Sequence, residues 1–167
     1  KDMPEERQTP LCTKVEQLLT EARVIIPGAQ ALLGFQLIAT LTKPFESLPT
    51  SWQHLHAFGL SAAALSVLLL MTPAALHRIA FRGEDNPRFL TIGSGFVIAA
   101  AFPLAVGVAT NVAFVFYRAT QNDGVALLMG SLSLGLLLGC WYGFPLLQRA
   151  RVAGQSSHRK PLPSRHG

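Results

Sequence analysis

The sequence predicts an all-α fold: an integral membrane bundle of four transmembrane helices with a short N-terminal amphipathic helix. The first observation is composition. Of 167 residues, 50% are hydrophobic and only 14% are charged, which is more apolar than an ordinary soluble domain. The second is a set of four uncharged runs, each long enough to cross a hydrocarbon core of about 30 Å at about 1.5 Å per residue. The third is the clustering of Lys and Arg at the chain ends and in alternate connections.

Residues 1–23 are expected to form a polar cytoplasmic segment that contains the amphipathic helix. Pro10 falls where a first helical turn would begin, and Leu11, Val15 and Leu18 recur at helical spacing. This pattern predicts a helix lying on the membrane surface. The alternative is a solvated helix whose apolar face packs on a protein loop.

The transmembrane domain is expected to occupy residues 24–148, with its first span at 24–42. An α-helix rotates by 100° per residue, which places the polar or small residues of this span on two stripes. One holds Arg23, Pro27, Gln30 and Gly34, and the other holds Gln36 and Thr40. Because unpaired polar groups are costly in lipid, both stripes are expected to face protein.

The second and third spans are predicted at residues 57–76 and 89–117. The third run is longer than a perpendicular helix needs, so we expect it to tilt, extend into the interface or kink at Pro103. Small residues recur every four positions along this run, and the series ends at Asn111. This face includes Gly95 and Gly107. Together with Gln30, Gln36 and Thr40 of the first span, Asn111 is one of four polar side chains expected inside the membrane.

The fourth span is predicted at residues 124–148 and is followed by a basic cytoplasmic tail, 149–167, that is expected to be disordered. A second series of small residues recurs every four positions in this span: Ser131, Gly135, Gly139 and Gly143. Such a stripe permits close approach of helix backbones. Packing inside one bundle, against the Gly95–Asn111 face, is favoured over dimerisation.

The distribution of basic residues predicts the topology. The N-terminal segment, the connection between the second and third spans, and the tail together hold 12 Lys and Arg residues, whereas the other side holds only Lys43 and Arg118. Cytoplasmic loops carry the excess of Lys and Arg, so both termini are expected in the cytoplasm.

Charged side chains are expected to meet where the first span begins and the second ends. This cluster comprises Glu21, Arg23, His77 and Arg78. An ion-pair lock between two helices is favoured over a proton or anion access site. His54 and His56 are interpreted as exposed loop histidines rather than metal ligands, because a metal site needs three or four convergent ligands.

No pattern of a catalytic site is found. All nine acidic residues lie outside the four uncharged runs, whereas ion-coupled carriers commonly hold ionisable groups inside the membrane. We therefore expect no enzyme activity, cofactor, metal or nucleic-acid partner. The expected partners are the lipid bilayer and either further copies of the chain or a larger membrane complex.

Two motifs resemble a bacterial family of small four-helix membrane proteins of unknown function, whose members are often labelled sodium:proton antiporters. The first runs from Glu21 through Arg23 and Gln30 to Phe35, and the second is Pro73-Ala-Ala-Leu-His-Arg78. The resemblance covers roughly residues 10–150 and implies four spans in the bacterial inner (plasma) membrane. The favoured function is a non-enzymatic membrane protein that acts through helix packing within itself or a larger complex. The alternative is a small cation/proton antiporter.

Overall fold

The computed structural model describes residues 9–158, with side chains through Val152. Regular structure in this part of the chain is helical throughout. The elements are α1 (Leu11–Thr40), α2 (Lys43–Glu46), α3 (Thr50–Ile79), α4 (Pro87–Thr120), α5 (Asp123–Leu138), a π-helical turn (Gly139–Gly143) and α6 (Phe144–His158). Four stretches are long and apolar enough to cross a membrane: Leu11–Thr40, Thr50–Ile79, Pro87–Thr120 and Asp123–Val152. The predicted all-helical class with four candidate spans is therefore confirmed.

Local chemistry accounts for the helix starts. The Asn86 side-chain oxygen accepts from the Arg88 backbone N–H at 2.8 Å, and Pro87 occupies the first turn of α4. The Asn122 side-chain oxygen accepts from the Val125 N–H at 3.1 Å and so caps α5. These bonds satisfy backbone donors that a helix leaves without a partner at its N-terminus.

The predicted N-terminal amphipathic helix is not a separate element. It forms the first turns of α1, because no Pro or Gly interrupts the chain between Leu11 and Pro27. Its apolar residues Val15 and Leu18 are buried against Phe89 of α4. This face therefore packs on protein rather than lying on the membrane surface.

Helix α4 occupies the middle of the bundle. It packs most extensively on α3 and α5, while α1 packs on α3 and α4. The two faces of α4 serve different neighbours. Ala100 packs in a cluster with Ala29 of α1 and Leu70 of α3, whereas Ala113 packs against Ala126 of α5. Helix α5 is thus attached mainly through α4.

The face of α3 that meets its neighbours carries a regular stripe of buried residues. Their spacing alternates between four and three positions, the period expected of a helix seam. The stripe comprises Trp52, His56, Gly59, Ala63, Ser66, Leu70 and Pro73.

The predicted packing of small residues between the third and fourth spans is wrong for most of its members. Close approach of α5 to α4 occurs instead at Gly130, where an added Cβ would lie 2.8 Å from the Ala113 Cβ. Gly107 does lie at a close contact, but with Ala63 of α3, 3.2 Å from an added Cβ.

The predicted stripe itself faces outward. Ser131, Gly135 and Gly139 are exposed, and a Cβ added at Gly135 or Gly139 would meet nothing within 4 Å. Gly95 has the same open surroundings, and Gly143 approaches only the Leu138 carbonyl, 3.9 Å away. At 100° per residue, Gly135 and Gly139 lie roughly opposite Gly130, so they cannot share its contact.

The last helix extends further than the sequence predicts. A π-helical turn precedes Pro145, and α6 continues to His158, so residues 149–158 of the expected disordered tail are helical. Arg149, Ala150 and Arg151 have good helix propensity, so the helix can continue through them. Residues 159–167 of that tail, and residues 1–8 at the other terminus, lie outside the described residues.

Candidate functional site

The buried polar side chains of the bundle bind backbone carbonyls of neighbouring helices. The Gln36 amide nitrogen donates to the Gly107 carbonyl oxygen at 3.0 Å, which joins α1 to α4. The Nε2 atom of His56 lies 3.0 Å from the Gln36 backbone oxygen, which joins α3 to α1. Because a carbonyl oxygen only accepts, Nε2 carries the hydrogen. The Ser66 hydroxyl donates to the Ala100 carbonyl at 2.9 Å.

His56 lies inside the bundle and not in an exposed loop, so the sequence-based interpretation of this residue is wrong. Helix α3 begins at Thr50, well before the predicted span, and the His56 ring is 2% exposed. It packs against Phe45 of α2 and Phe114 of α4, with ring centroids 5.3 and 4.6 Å away. The missed signal was the four-three spacing of the α3 stripe, which runs through position 56.

Gln36 carries an unsatisfied acceptor. Its side-chain oxygen is buried and has no hydrogen-bond partner within residues 9–158. A buried acceptor without a partner costs about 1–3 kcal/mol. This oxygen therefore lies in the interior of the bundle at an energetic cost.

The other polar side chains of the predicted spans are arranged differently. Thr40 donates to the Leu37 carbonyl of its own helix at 2.6 Å. Gln30 is exposed and Asn111 is half-buried, and the structure gives neither side chain a hydrogen bond among the described residues. The expectation that polar stripes face protein thus holds for Gln36 but fails for Gln30. Arg23 and Pro27, on the stripe of Gln30, are also exposed.

An aromatic and acidic cluster joins three helices at the end of the bundle where α3 begins. The Trp52 indole N–H donates to a carboxylate oxygen of Asp123 at 2.8 Å. The Trp52 ring also stacks on Tyr117 of α4, with centroids 4.2 Å apart and planes at 15°. The cluster fixes the first turn of α5 to α3 and α4.

Three of the four residues expected in the charged cluster line one groove. Arg23, His77 and Arg78 border a groove between α1 and α3, but Glu21 lies on a different face, beside Glu16 and Gln17. None of the four forms an ion pair in the described part of the chain. The reason is geometric. Glu21 and Arg23 flank the buried Ala22 and point to opposite sides of it.

His77 forms one wall of this groove and also contacts the core. Its ring centroid lies 4.8 Å from that of Phe89, and its Nε2 atom is buried without a hydrogen-bond partner among residues 9–158. The groove thus has basic side chains at its border and no carboxylate among them.

These features define an all-helical protein whose four long helices suit a membrane and are joined by polar side chains bonded to helix carbonyls. The chain belongs to DUF6328, a family of unknown function, which matches residues 4–145. This agrees with the expected membership of a family of unknown function, and the family description names no transport activity. No curated protein and no solved structure matches the chain.

Proposed function

We propose that this chain is a non-enzymatic multi-pass membrane protein that acts through helix packing with a second copy of itself. The observation that carries the proposal is the outward face of the fourth long helix, formed by Ser131, Gly135 and Gly139. In an apolar 18-residue stretch of this helix 11% of the residues are buried, whereas 33% are buried in the corresponding stretch of α3. The helix therefore offers most of its surface for further contact.

The chemistry of this face favours another helix. Gly135 and Gly139 form a Gly-x-x-x-Gly pair with open space above both glycines. Between lipid-facing helices there is no hydrophobic driving force, so association depends on close backbone approach, which small residues permit. A face of this kind is complementary to itself.

The test is self-association in liposomes, followed by energy transfer between labelled copies as the ratio of lipid to protein rises. Gly135→Leu should weaken association by about fivefold to a hundredfold, the effect of overpacking a close contact by about 1–3 kcal/mol. Gly28→Leu is the matched control, because Gly28 of α1 also has nothing within 4 Å. A parent protein that stays monomeric over the whole range would disprove the proposal.

The second candidate is a small cation/proton antiporter, and the buried His56 favours it. This imidazole is 2% exposed and lies inside the helical bundle, where its Nε2 atom is 3.0 Å from the backbone oxygen of Gln36. Ionisable groups at such positions commonly mark ion pathways. The discriminating experiment imposes a sodium gradient on proteoliposomes and follows internal pH. Flux that His56→Phe abolishes would support transport, and no flux above empty liposomes would exclude it.

A further inference from the structure

The groove bordered by Arg23, His77 and Arg78 combines apolar walls with basic side chains, and it includes no residue of the face proposed for self-association. The groove lies between the first half of α1 and the last turns of α3 and has a volume of about 810 Å³. Its walls are apolar and include Ile26 and Leu68. The basic side chains lie toward one end.

The length of the groove matches one leaflet. Along α3 its lining extends from Leu68 to Arg78, ten positions that correspond to about 15 Å of helix rise. The hydrocarbon core of a bilayer is about 30 Å thick, so the groove spans about half of it. An acyl chain lying in the groove would therefore end near the middle of the bilayer.

The positive charges at the border of the groove suit an anionic ligand. Arg23 and Arg78 are exposed, and neither forms an ion pair with any Asp or Glu of the described chain. Arginine binds phosphate oxygens through two parallel N–H groups. Glu21 lies on another face of α1, so no carboxylate of residues 9–158 competes for these guanidinium groups.

We propose that this groove binds an anionic phospholipid. The phosphate lies between Arg23 and Arg78, and one acyl chain lies along Ile26 and Leu68. A free phosphate ion would use the basic border but not the apolar walls. A zwitterionic lipid would use the walls but would bring a cationic group to the border. Basic pockets between membrane helices bind anionic lipid headgroups in other membrane proteins.

The test compares two lipids with identical acyl chains, phosphatidylglycerol and phosphatidylcholine, titrated into the purified full chain in a nonionic detergent. Bound lipid is counted by native mass spectrometry, and unfolding temperature is measured in parallel. Phosphatidylglycerol should bind more tightly and raise the unfolding temperature more. In the double variant Arg23→Gln/Arg78→Gln its Kd should rise roughly 30-fold, as expected for two contacts of about 1 kcal/mol each.

The matched control is Arg82→Gln/Arg88→Gln, which removes two charges at the same end of the bundle but outside the groove. Its Kd for phosphatidylglycerol should stay within about twofold of the parent value. A second variant, Ala74→Phe, fills the groove without changing charge and should lower binding of both lipids. Equal binding of the two lipids by the parent, an equal loss in the control, or a matching stabilisation by inorganic phosphate at equal ionic strength would each overturn the proposal.

Discussion

The Gln36 amide nitrogen donates to the Gly107 carbonyl oxygen at 3.0 Å, while the oxygen of the same amide has no partner among the described residues. A hydrogen bond between helices in a membrane contributes about 0.6 kcal/mol on average and at most about 1.7. The unsatisfied oxygen costs about 1–3 kcal/mol. The cost therefore exceeds the average gain, although Gln36 links two helices.

Gln36→Leu is accordingly expected to leave the free energy of unfolding unchanged or to raise it by up to about 1 kcal/mol. The substitution removes the unsatisfied oxygen and keeps a side chain of similar volume. The Gly107 carbonyl oxygen still accepts a hydrogen bond from the Thr110 hydroxyl at 3.0 Å. Equilibrium unfolding in mixed micelles measures the effect. Gln36→Ala is the control that leaves a cavity, and it should destabilise. A loss above about 1.7 kcal/mol in Gln36→Leu would show that the buried amide stabilises the bundle.

The hydrogen bond between Trp52 and Asp123 is expected to couple α3 to α5 energetically. Trp52→Phe keeps an aromatic ring to pack on Tyr117 but removes the N–H, and Asp123→Ala removes the acceptor. A double-mutant cycle on unfolding free energies should give a coupling of about 1 kcal/mol, below the usual range for a bond to a charged group because Asp123 is exposed to solvent. Asp123→Asn, which retains an acceptor oxygen, should lose less. Additive effects would mean that the bond adds nothing to stability.

Gly130→Leu should destabilise the bundle by about 1–3 kcal/mol, because even a Cβ at this position would lie 2.8 Å from the Ala113 Cβ and 3.1 Å from the Ala109 oxygen. Unfolding free energy, measured in detergent where the protein is monomeric, is the readout. Gly139→Leu in the same helix should change it by less than about 0.5 kcal/mol, because the space above Gly139 is open. Equal losses in the two variants would contradict the observed orientation of the helix.

The contrast between Gly130 and Gly139 shows what the sequence could and could not predict. The four long helices follow directly from four uncharged runs, since few other structures satisfy every backbone group in a membrane. Which face of each helix meets protein does not follow, because lipid tails are as apolar as leucine and both faces of a span carry similar residues. A small-residue stripe in the sequence therefore does not show which face of the helix packs inside the bundle.

The position of His56 illustrates a different limit. The predicted span was bounded by the last charged or polar residues, but α3 begins at Thr50, so the histidine falls within it. Its polarity is accommodated by one carbonyl of α1 and two aromatic rings, contacts that exist only once α1, α2 and α4 are assembled around α3. The hydrophobic run alone could not reveal them, although the alternating spacing of the α3 stripe did include position 56.

The orientation in the membrane stays a prediction from charge, and labelling of single cysteines tests it. With Cys12 and Cys140 replaced, Glu84→Cys in the connection between α3 and α4 should react only from the cytoplasm. Ser47→Cys, in the connection between α1 and α3, should react only from outside. Both positions are exposed, so each is accessible to a membrane-impermeant reagent. The reverse pattern would show that the twelve basic residues lie outside.

Glu21 and Arg78 are expected to act independently, in contrast to the ion-pair lock that the sequence suggested. Glu21 lies beside Glu16 and Gln17, whereas Arg78 lines the groove on the other side of Ala22. Within the described residues, Glu21 and Arg78 form no ion pair with each other. Glu21→Gln should therefore change the free energy of unfolding by less than about 0.5 kcal/mol, as is usual for an exposed side chain without a partner. Glu21→Gln and Arg78→Gln together should be additive within about 0.3–0.5 kcal/mol. The Trp52 and Asp123 cycle, run in the same micelles, is the positive control for detecting a coupling. A coupling above about 1 kcal/mol between Glu21 and Arg78 would show that the carboxylate reaches the groove, where it would occupy the guanidinium groups assigned to a lipid phosphate.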